Sequence, residues 1–209
     1  MVSPDTISRA GRSDWTLMIA IHDALRRDLD ELLHTTAGRA AARTRWNVFR
    51  DHLRFHLAAE DAVMWWPARA RLAGNPNGQV LLDAMEDEHR LIGPLLAVTD
   101  DAFTMDADPG RLRHLLARLR TRLTSHLAHE EADALPLISQ IMTRRELGRI
   151  SSAVRGGYNV RRAAAIVPWA LADASPDVCH LVMAELPAPV RLLHQSLWLP
   201  RYSRSAPPL

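Results

Sequence analysis

His56-Leu-Ala-Ala-Glu60 is the stretch that decides the fold, because it returns almost unchanged as His126-Leu-Ala-His-Glu130. Each copy places a histidine four residues before a glutamate, and residues four apart lie on one face of an α-helix, one turn from each other. Each copy is followed by acidic residues and then by Pro67 or Pro136. A single pair of this kind is a common contact on a helix surface. Two copies at matching places predict a duplicated helical arrangement in which both pairs belong to one site.

A further histidine precedes each copy at a similar offset. His22 lies in an apolar helical stripe before His56, and His89 lies in a second one before His126. Two helical hairpins, each with one lone histidine and one His-x-x-x-Glu pair, would bring six side chains into one core. The predicted metal ligands are His22, His56, Glu60, His89, His126 and Glu130.

The chemistry of this set points to two metal ions. A carboxylate can bridge two cations and reduce their repulsion, and mixed imidazole and carboxylate ligands suit iron, manganese or zinc. Cys179 is the only cysteine, so a cysteine-based zinc or iron–sulfur site is excluded. Two bridging glutamates with two histidines per metal leave coordination positions open. Open positions of this kind would admit O₂, peroxide, NO or water.

Other polar residues near the predicted ligands have less certain roles. His52 lies four residues before His56 and is either a seventh ligand, a pocket residue or a solvent-facing side chain. We expect His129 and Glu131 to point away from the site. Three charged residues are candidates for a supporting role around the ligands, with ordinary surface charge as the alternative: Arg26, Glu86 and Glu88.

The helical pattern predicts an all-α fold, an up-down-up-down four-helix bundle with a C-terminal extension of short helices. The predicted bundle helices are 14–35, 40–72, 79–103 and 109–142. We expect Asp108 to cap the fourth helix, Gly93-Pro94 to kink or weaken the third, and a bend near Pro136. The predicted domains are a tail over 1–13, the bundle over 14–142 and the extension over 143–209, its pieces broken by Pro168, Pro176, Pro187 and Pro189.

Composition restricts the remaining possibilities. The 209 residues are 47% hydrophobic, which is enough to fill a core. No apolar run approaches the ~20 residues of a membrane span, and the N-terminus lacks the apolar run of a signal peptide, so we expect a cytoplasmic protein without a membrane partner. The net charge is only +2, and all 26 basic residues are arginine, so we expect no nucleic-acid partner. The sequence leaves a homodimer open.

The ligand pattern resembles the hemerythrin-like family, also called HHE cation-binding domains. The residues that carry the resemblance are His22, His56-x-x-x-Glu60-Asp61, His89 and His126-Leu-Ala-His-Glu130-Glu131, with Trp65-Trp66-Pro67 and Leu135-Pro136 after them. It covers about residues 14–142, and the segments around Ile166 to Trp169 and Leu197 to Tyr202 are similar to an extension of actinobacterial hemerythrin-like proteins. The resemblance implies a non-haem di-iron site with both glutamates bridging.

The sequence departs from the respiratory hemerythrins of that family at one position of consequence. Those proteins have a fifth histidine four residues after the ligand on the third helix, where this chain has Gly93. The departure favours reaction with peroxide or NO over simple O₂ storage. Four functions stay open: reversible binding or sensing of O₂ or NO, a di-iron catalase, peroxidase or oxidase, iron handling with nitrosative-stress repair of iron centres, and a metal-free scaffold. Whether the protein is an enzyme is not decided by the sequence.

Overall fold

The computed structural model describes residues 15–35, 38–157 and 160–205, and the predicted N-terminal tail lies outside them. Every regular element in these ranges is helical, so the predicted all-α class is confirmed. The chain groups into two compact units, Leu25–Ile141 and a second unit of Met1–Ala24 with Met142–Leu209. The boundary near the N-terminus falls inside a continuous helix, α1 (Thr16–His34). The domain limits predicted from the sequence stay a prediction.

The unit Leu25–Ile141 contains the long helices of the bundle, joined by short turns that make neighbours antiparallel. After α1, the chain forms two interrupted helices and one long helix between them. The elements are α2 (Arg39–Glu60), α3 (Trp66–Arg71), α4 (Pro76–Thr104), α5 (Pro109–His129) and α6 (Leu135–Ile141). α2 continues into α3, and α5 continues into α6, each through one turn of π-helix.

The two π-helical turns occupy Asp61–Trp65 and Glu130–Ala134. A π-helical turn is a local widening of an α-helix and occurs frequently at functional sites. The first turn begins directly after Glu60, and the second begins at Glu130 itself. The duplicated sequence pattern is therefore matched by a duplicated backbone irregularity. Pro136 lies in the first turn of α6, directly after the second of these turns, and the bend predicted near it stays a prediction.

Side-chain caps set the starts of two bundle helices. The Asn75 side chain accepts a hydrogen bond from the Gly78 N–H, so α4 begins at Pro76, three residues before the predicted start. The Asp108 side chain accepts from the Arg111 N–H, as predicted. Helix α4 runs through Gly93 and Pro94 without a break in its helical backbone, so the predicted weak point does not divide it.

The core of this unit is mainly leucine and includes an aromatic cluster of Trp46, Phe49 and Phe103. Trp46 is fully buried and stacks on Phe103, with ring centroids 5.0 Å apart. The Trp46 indole N–H donates to Asp100 Oδ1 at 2.8 Å, and Arg50 donates to the same oxygen at 2.6 Å. This network satisfies a buried donor and holds α2 against α4.

The second unit contains five short helices after the bundle. They are α7 (Arg144–Gly157), α8 (Val160–Ala170), α9 (Pro176–Glu185), α10 (Ala188–Leu193) and α11 (Leu199–Ser205), with a π-helical turn at His194–Trp198 before α11. Their buried residues include Trp169, Val182 and Trp198. Pro176 and Pro189 stand in the first turns of helices, where their missing N–H is harmless. The expected break at Pro168 is wrong, because the buried Pro168 lies inside α8, which continues to Ala170.

Among the residues that the structure describes, no helix is both long enough and apolar enough to cross a membrane.

Candidate metal centre

The first group of potential ligands brings together side chains from the end of α2, the middle of α4 and the end of α5. Glu60, His89 and His126 each offer one ligand atom, and the three atoms lie within 4.8 Å of one another. The two histidine Nε2 atoms are 3.1 Å apart, and His89 Nε2 is 3.4 Å from Glu60 Oε2. Three ligand atoms that converge in this way surround a space the size of one cation.

The second group shares one member with the first. His56, Glu60 and Glu130 again offer ligand atoms within 4.8 Å of one another. His22, the remaining predicted ligand, is buried on the uninterrupted helix α1. His56 Nε2 is 2.9 Å from Glu60 Oε1, while Glu60 Oε2 faces His89. The two oxygens of the Glu60 carboxylate therefore face different groups of potential ligands.

The six predicted ligands are all buried, none of them more than 7% exposed. A family model described as Hemerythrin HHE cation binding domain matches residues 14–138, which include all six. The chain belongs to the hemerythrin HHE cation-binding family. It therefore binds metal cations, and the buried His and Glu cluster fits a site for them. No curated protein and no solved structure matches the chain significantly.

The two glutamates of the hemerythrin domain differ in charge when no metal is bound. Burial alone would raise the pKa of Glu60, but the neighbouring His56 and His89 hold it well below its usual value. Burial raises the pKa of Glu130 well above its usual value, and the negative charge of Glu60 raises it further. One carboxylate is therefore ionised and the other keeps its proton, which a bound cation would displace.

The pKa values of the two histidines in the first group are shifted in opposite directions. Burial, with the charge of the neighbouring His89 adding to it, lowers the pKa of His126 to about 4, so His126 is neutral and its Nε2 lone pair is available to a metal. Burial would also lower the pKa of His89, but Glu60 and Asp61 raise it above its usual value. A raised pKa favours a proton on His89 when no metal is bound, and a cation in this group would have to displace that proton.

Carboxylates outside the two groups hold the far side of these imidazole rings. Asp61 Oδ1 accepts from His89 Nδ1 at 2.8 Å. Glu88 accepts from His126 Nδ1 with one oxygen and from His129 Nδ1 with the other, each at 2.8 Å. These contacts orient both rings with Nε2 toward the other potential ligands, and they would make the rings stronger donors to a metal bound there.

The remaining residues named from the sequence fall outside both groups. Within the described ranges, neither group of potential ligands includes His52. Glu86 pairs with Arg69 at 2.7 Å, and Arg26 pairs with Glu131 at 2.9 Å. Of the three charged candidates, Glu88 is the one whose hydrogen bond to a predicted ligand, His126, is described above. That His22, His56, Glu60, His89, His126 and Glu130 are the metal ligands stays a prediction.

The sequence did not predict the hydrogen bond between Asp61 and His89. The position of Asp61 directly after Glu60 gives no sign of it, because on an ideal α-helix the next residue points about 100° away. The widened π-helical turn that begins at Asp61 changes this geometry, and the carboxylate meets His89 of α4. The signal that could have pointed to it is the matched acidic residue Glu131 after Glu130.

Proposed function

We propose that this hemerythrin domain holds two iron ions, bridged by Glu60 and Glu130, and that it reacts with peroxide, O₂ or NO at the open metal positions. The observation that carries the proposal is the shared carboxylate of Glu60, which belongs to both groups of potential ligands. A carboxylate between two cations reduces their repulsion and sets them close together. Histidine and carboxylate donors in this ratio suit iron, with manganese or zinc as chemically related alternatives.

Open coordination positions at both metals favour reaction over oxygen transport. If Glu60 and Glu130 both bridge, each iron has two histidines and two carboxylates, so an octahedral iron in either place keeps open positions. The position one helical turn after His89, where a fifth histidine would stand, is Gly93, and a Cβ there would meet nothing within 4 Å. Small oxidants should bind at these open positions.

The protein's own residues prepare the site in two ways. The buried ligands exclude bulk water, which limits side reactions and strengthens electrostatic interactions inside the site. Asp61 and Glu88 hold His89 and His126 from behind and increase their basicity, which favours the more oxidised state of a metal they bind. When bound, iron would supply Lewis-acid and redox chemistry to a small ligand.

Iron stoichiometry tests the proposal. The protein is purified without oxygen, loaded with ferrous iron and desalted, and iron per chain is measured by mass spectrometry. We expect two irons per chain, and less than one in Glu60→Ala, because both groups lose a shared ligand. Glu86→Ala is the matched control, since Glu86 pairs with Arg69 outside both groups. Two irons per chain in Glu60→Ala would contradict the bridged arrangement.

Optical spectra of the loaded protein then separate the functions. Peroxide, O₂ and NO are added in turn while the spectrum and dissolved O₂ are followed. Consumption of peroxide, with or without release of O₂, supports a catalase or peroxidase activity at the open position. A stable O₂ adduct that disappears under vacuum would instead support reversible binding and would refute the preference stated here.

A further inference from the structure

Two consecutive tryptophans lead from the metal centre to the surface. Trp65 is only 1% exposed, and its ring centroid lies 6.1 Å from that of His89, with the planes tilted by 57°. Trp66 is 75% exposed. Since consecutive Cα atoms are about 3.8 Å apart, the two indoles are attached to adjacent points of the backbone. A potential ligand, a buried indole and a solvent-exposed indole therefore follow one another.

Packing alone does not account for either indole. The Trp65 Nε1 atom is buried and makes no hydrogen bond to any described residue, although buried indole N–H groups usually have a partner. Phenylalanine, although smaller, would provide a buried aromatic ring without an unsatisfied donor. Trp66 is unusual for a different reason, because this large apolar residue is 75% exposed to water. What the two residues share is an indole ring, one of the most easily oxidised side chains.

The π-helical turn explains how one sequence step joins such different environments. It ends at Trp65, and α3 begins at Trp66. Met64 and Trp65 are both buried, and the backbone then turns the next side chain out into solvent. The same turn begins at Asp61, which holds His89. One irregular turn therefore carries both a support for a predicted ligand and the ring that lies beside it.

We propose that Trp65 and Trp66 form an electron-transfer route between the metal centre and the protein surface. This inference rests on the proposed reaction with peroxide. Reduction of one hydrogen peroxide to two waters consumes two electrons and two protons. For each electron that the centre requires, Trp65 gives one electron to the centre and Trp66 gives one to Trp65.

The exposed position of Trp66 makes it the end of the route. Oxidised Trp66 can lose its indole N–H proton to water and become a neutral radical at the surface. A thiol or ascorbate in solution then returns one electron, and water returns the proton, so Trp66 is restored and two such cycles supply one peroxide. Without a reductant, dissolved O₂ adds to the radical, and oxygen atoms stay covalently attached to Trp66.

Peptide mapping by mass spectrometry tests the route without relying on turnover. Iron-loaded and metal-free protein are treated with peroxide in the absence of reductant, and oxygen incorporation is measured at each tryptophan. We expect Trp66 to be oxygenated in the iron-loaded protein, and in Trp65→Phe to fall to the level of the metal-free protein. Trp46→Phe is the control, since Trp46 lies ten residues, about 15 Å of helix, before His56 and should leave Trp66 oxidation unchanged.

Trp66→Phe provides a second test that cannot depend on folding of the core, because position 66 is exposed. In this variant, peroxide consumption supported by ascorbate should slow several-fold while iron content stays at the wild-type value. Equal oxidation of Trp66 in wild type and Trp65→Phe would overturn the route and indicate oxidants that diffuse through solution. Peroxide consumption without Trp66 oxidation would overturn the route alone. Absence of both would overturn the proposed peroxide reaction together with the route.

Discussion

Glu88→Gln tests whether the carboxylates behind the predicted ligands govern metal affinity. Glu88 accepts hydrogen bonds from His126 and His129 through separate oxygens, each at 2.8 Å. Glutamine has the same length but only one accepting oxygen, so it can keep one of the two contacts and loses the negative charge. The imidazole of His126 would then be a weaker donor and less firmly oriented.

The expected loss can be bounded from the structure. Removal of an outer carboxylate that holds a ligating histidine typically costs about 10- to 100-fold in metal affinity. Glu88 is 29% exposed, so water screens part of its charge, and we expect a loss near the lower end, about 10-fold or ~1.4 kcal/mol. Because His126 belongs to only one of the two groups, only one of two binding steps should weaken.

A competition titration against a chelator of known affinity measures both steps, with ferrous iron under nitrogen. Asp87→Asn is the matched control, since Asp87 is an exposed neighbour on the same helix and pairs with Arg90. The reasoning fails if Glu88→Gln binds both irons with wild-type affinity. It fails equally if Asp87→Asn produces the same loss, because the effect would then reflect net charge and not the contact with His126.

Two further predictions concern stability. Asp100→Ala removes the acceptor of the buried Trp46 N–H and the partner of Arg50, so urea denaturation should show a loss of about 2–3 kcal/mol in the free energy of unfolding. The exposed neighbour in Asp101→Ala should change it little, and equal losses would contradict the network. Because burial and the charge of Glu60 raise the pKa of Glu130, its stabilising contribution to the metal-free fold is lost as pH rises through that pKa. Glu130→Gln should therefore raise the melting temperature in chelator at neutral pH while lowering iron content, and an unchanged melting temperature would refute this explanation.

The predicted ligands could be proposed from the sequence because they follow helical periodicity. His56 and Glu60 are one turn apart, and that spacing holds wherever the backbone is helical. The same regularity placed the limits of α1 and the starts of α2 and α5 to within a few residues, and the predicted second and fourth helices end within one residue of the ends of α3 and α6. The duplicated lone histidines then restricted how the helices could be arranged, since buried polar side chains must meet partners.

Contacts that depend on three-dimensional neighbours could not be obtained in this way. Glu88 is adjacent to His89 in sequence, yet it contacts His126 and His129 of another helix. The π-helical turns have no propensity signal of their own, since they widen an α-helix locally under tertiary forces. Pro168 was misjudged for a related reason. Proline is a strong helix breaker in solution, but Pro168 removes only one backbone hydrogen bond from α8, and burial of its ring offsets that loss.

The paired π-helical turns have a consequence for how the chain tolerates insertions and deletions. A π-helical turn is an α-helical turn that has accommodated one additional residue, so the segment beyond it keeps its packing register. Loss of a single residue from 61–65 or 130–134 would restore a regular turn, whereas loss of a residue from the regular helix on either side would rotate the segment beyond it by about 100°. Each half of the domain therefore has a place directly beside its glutamate where a change of one residue in chain length can be absorbed.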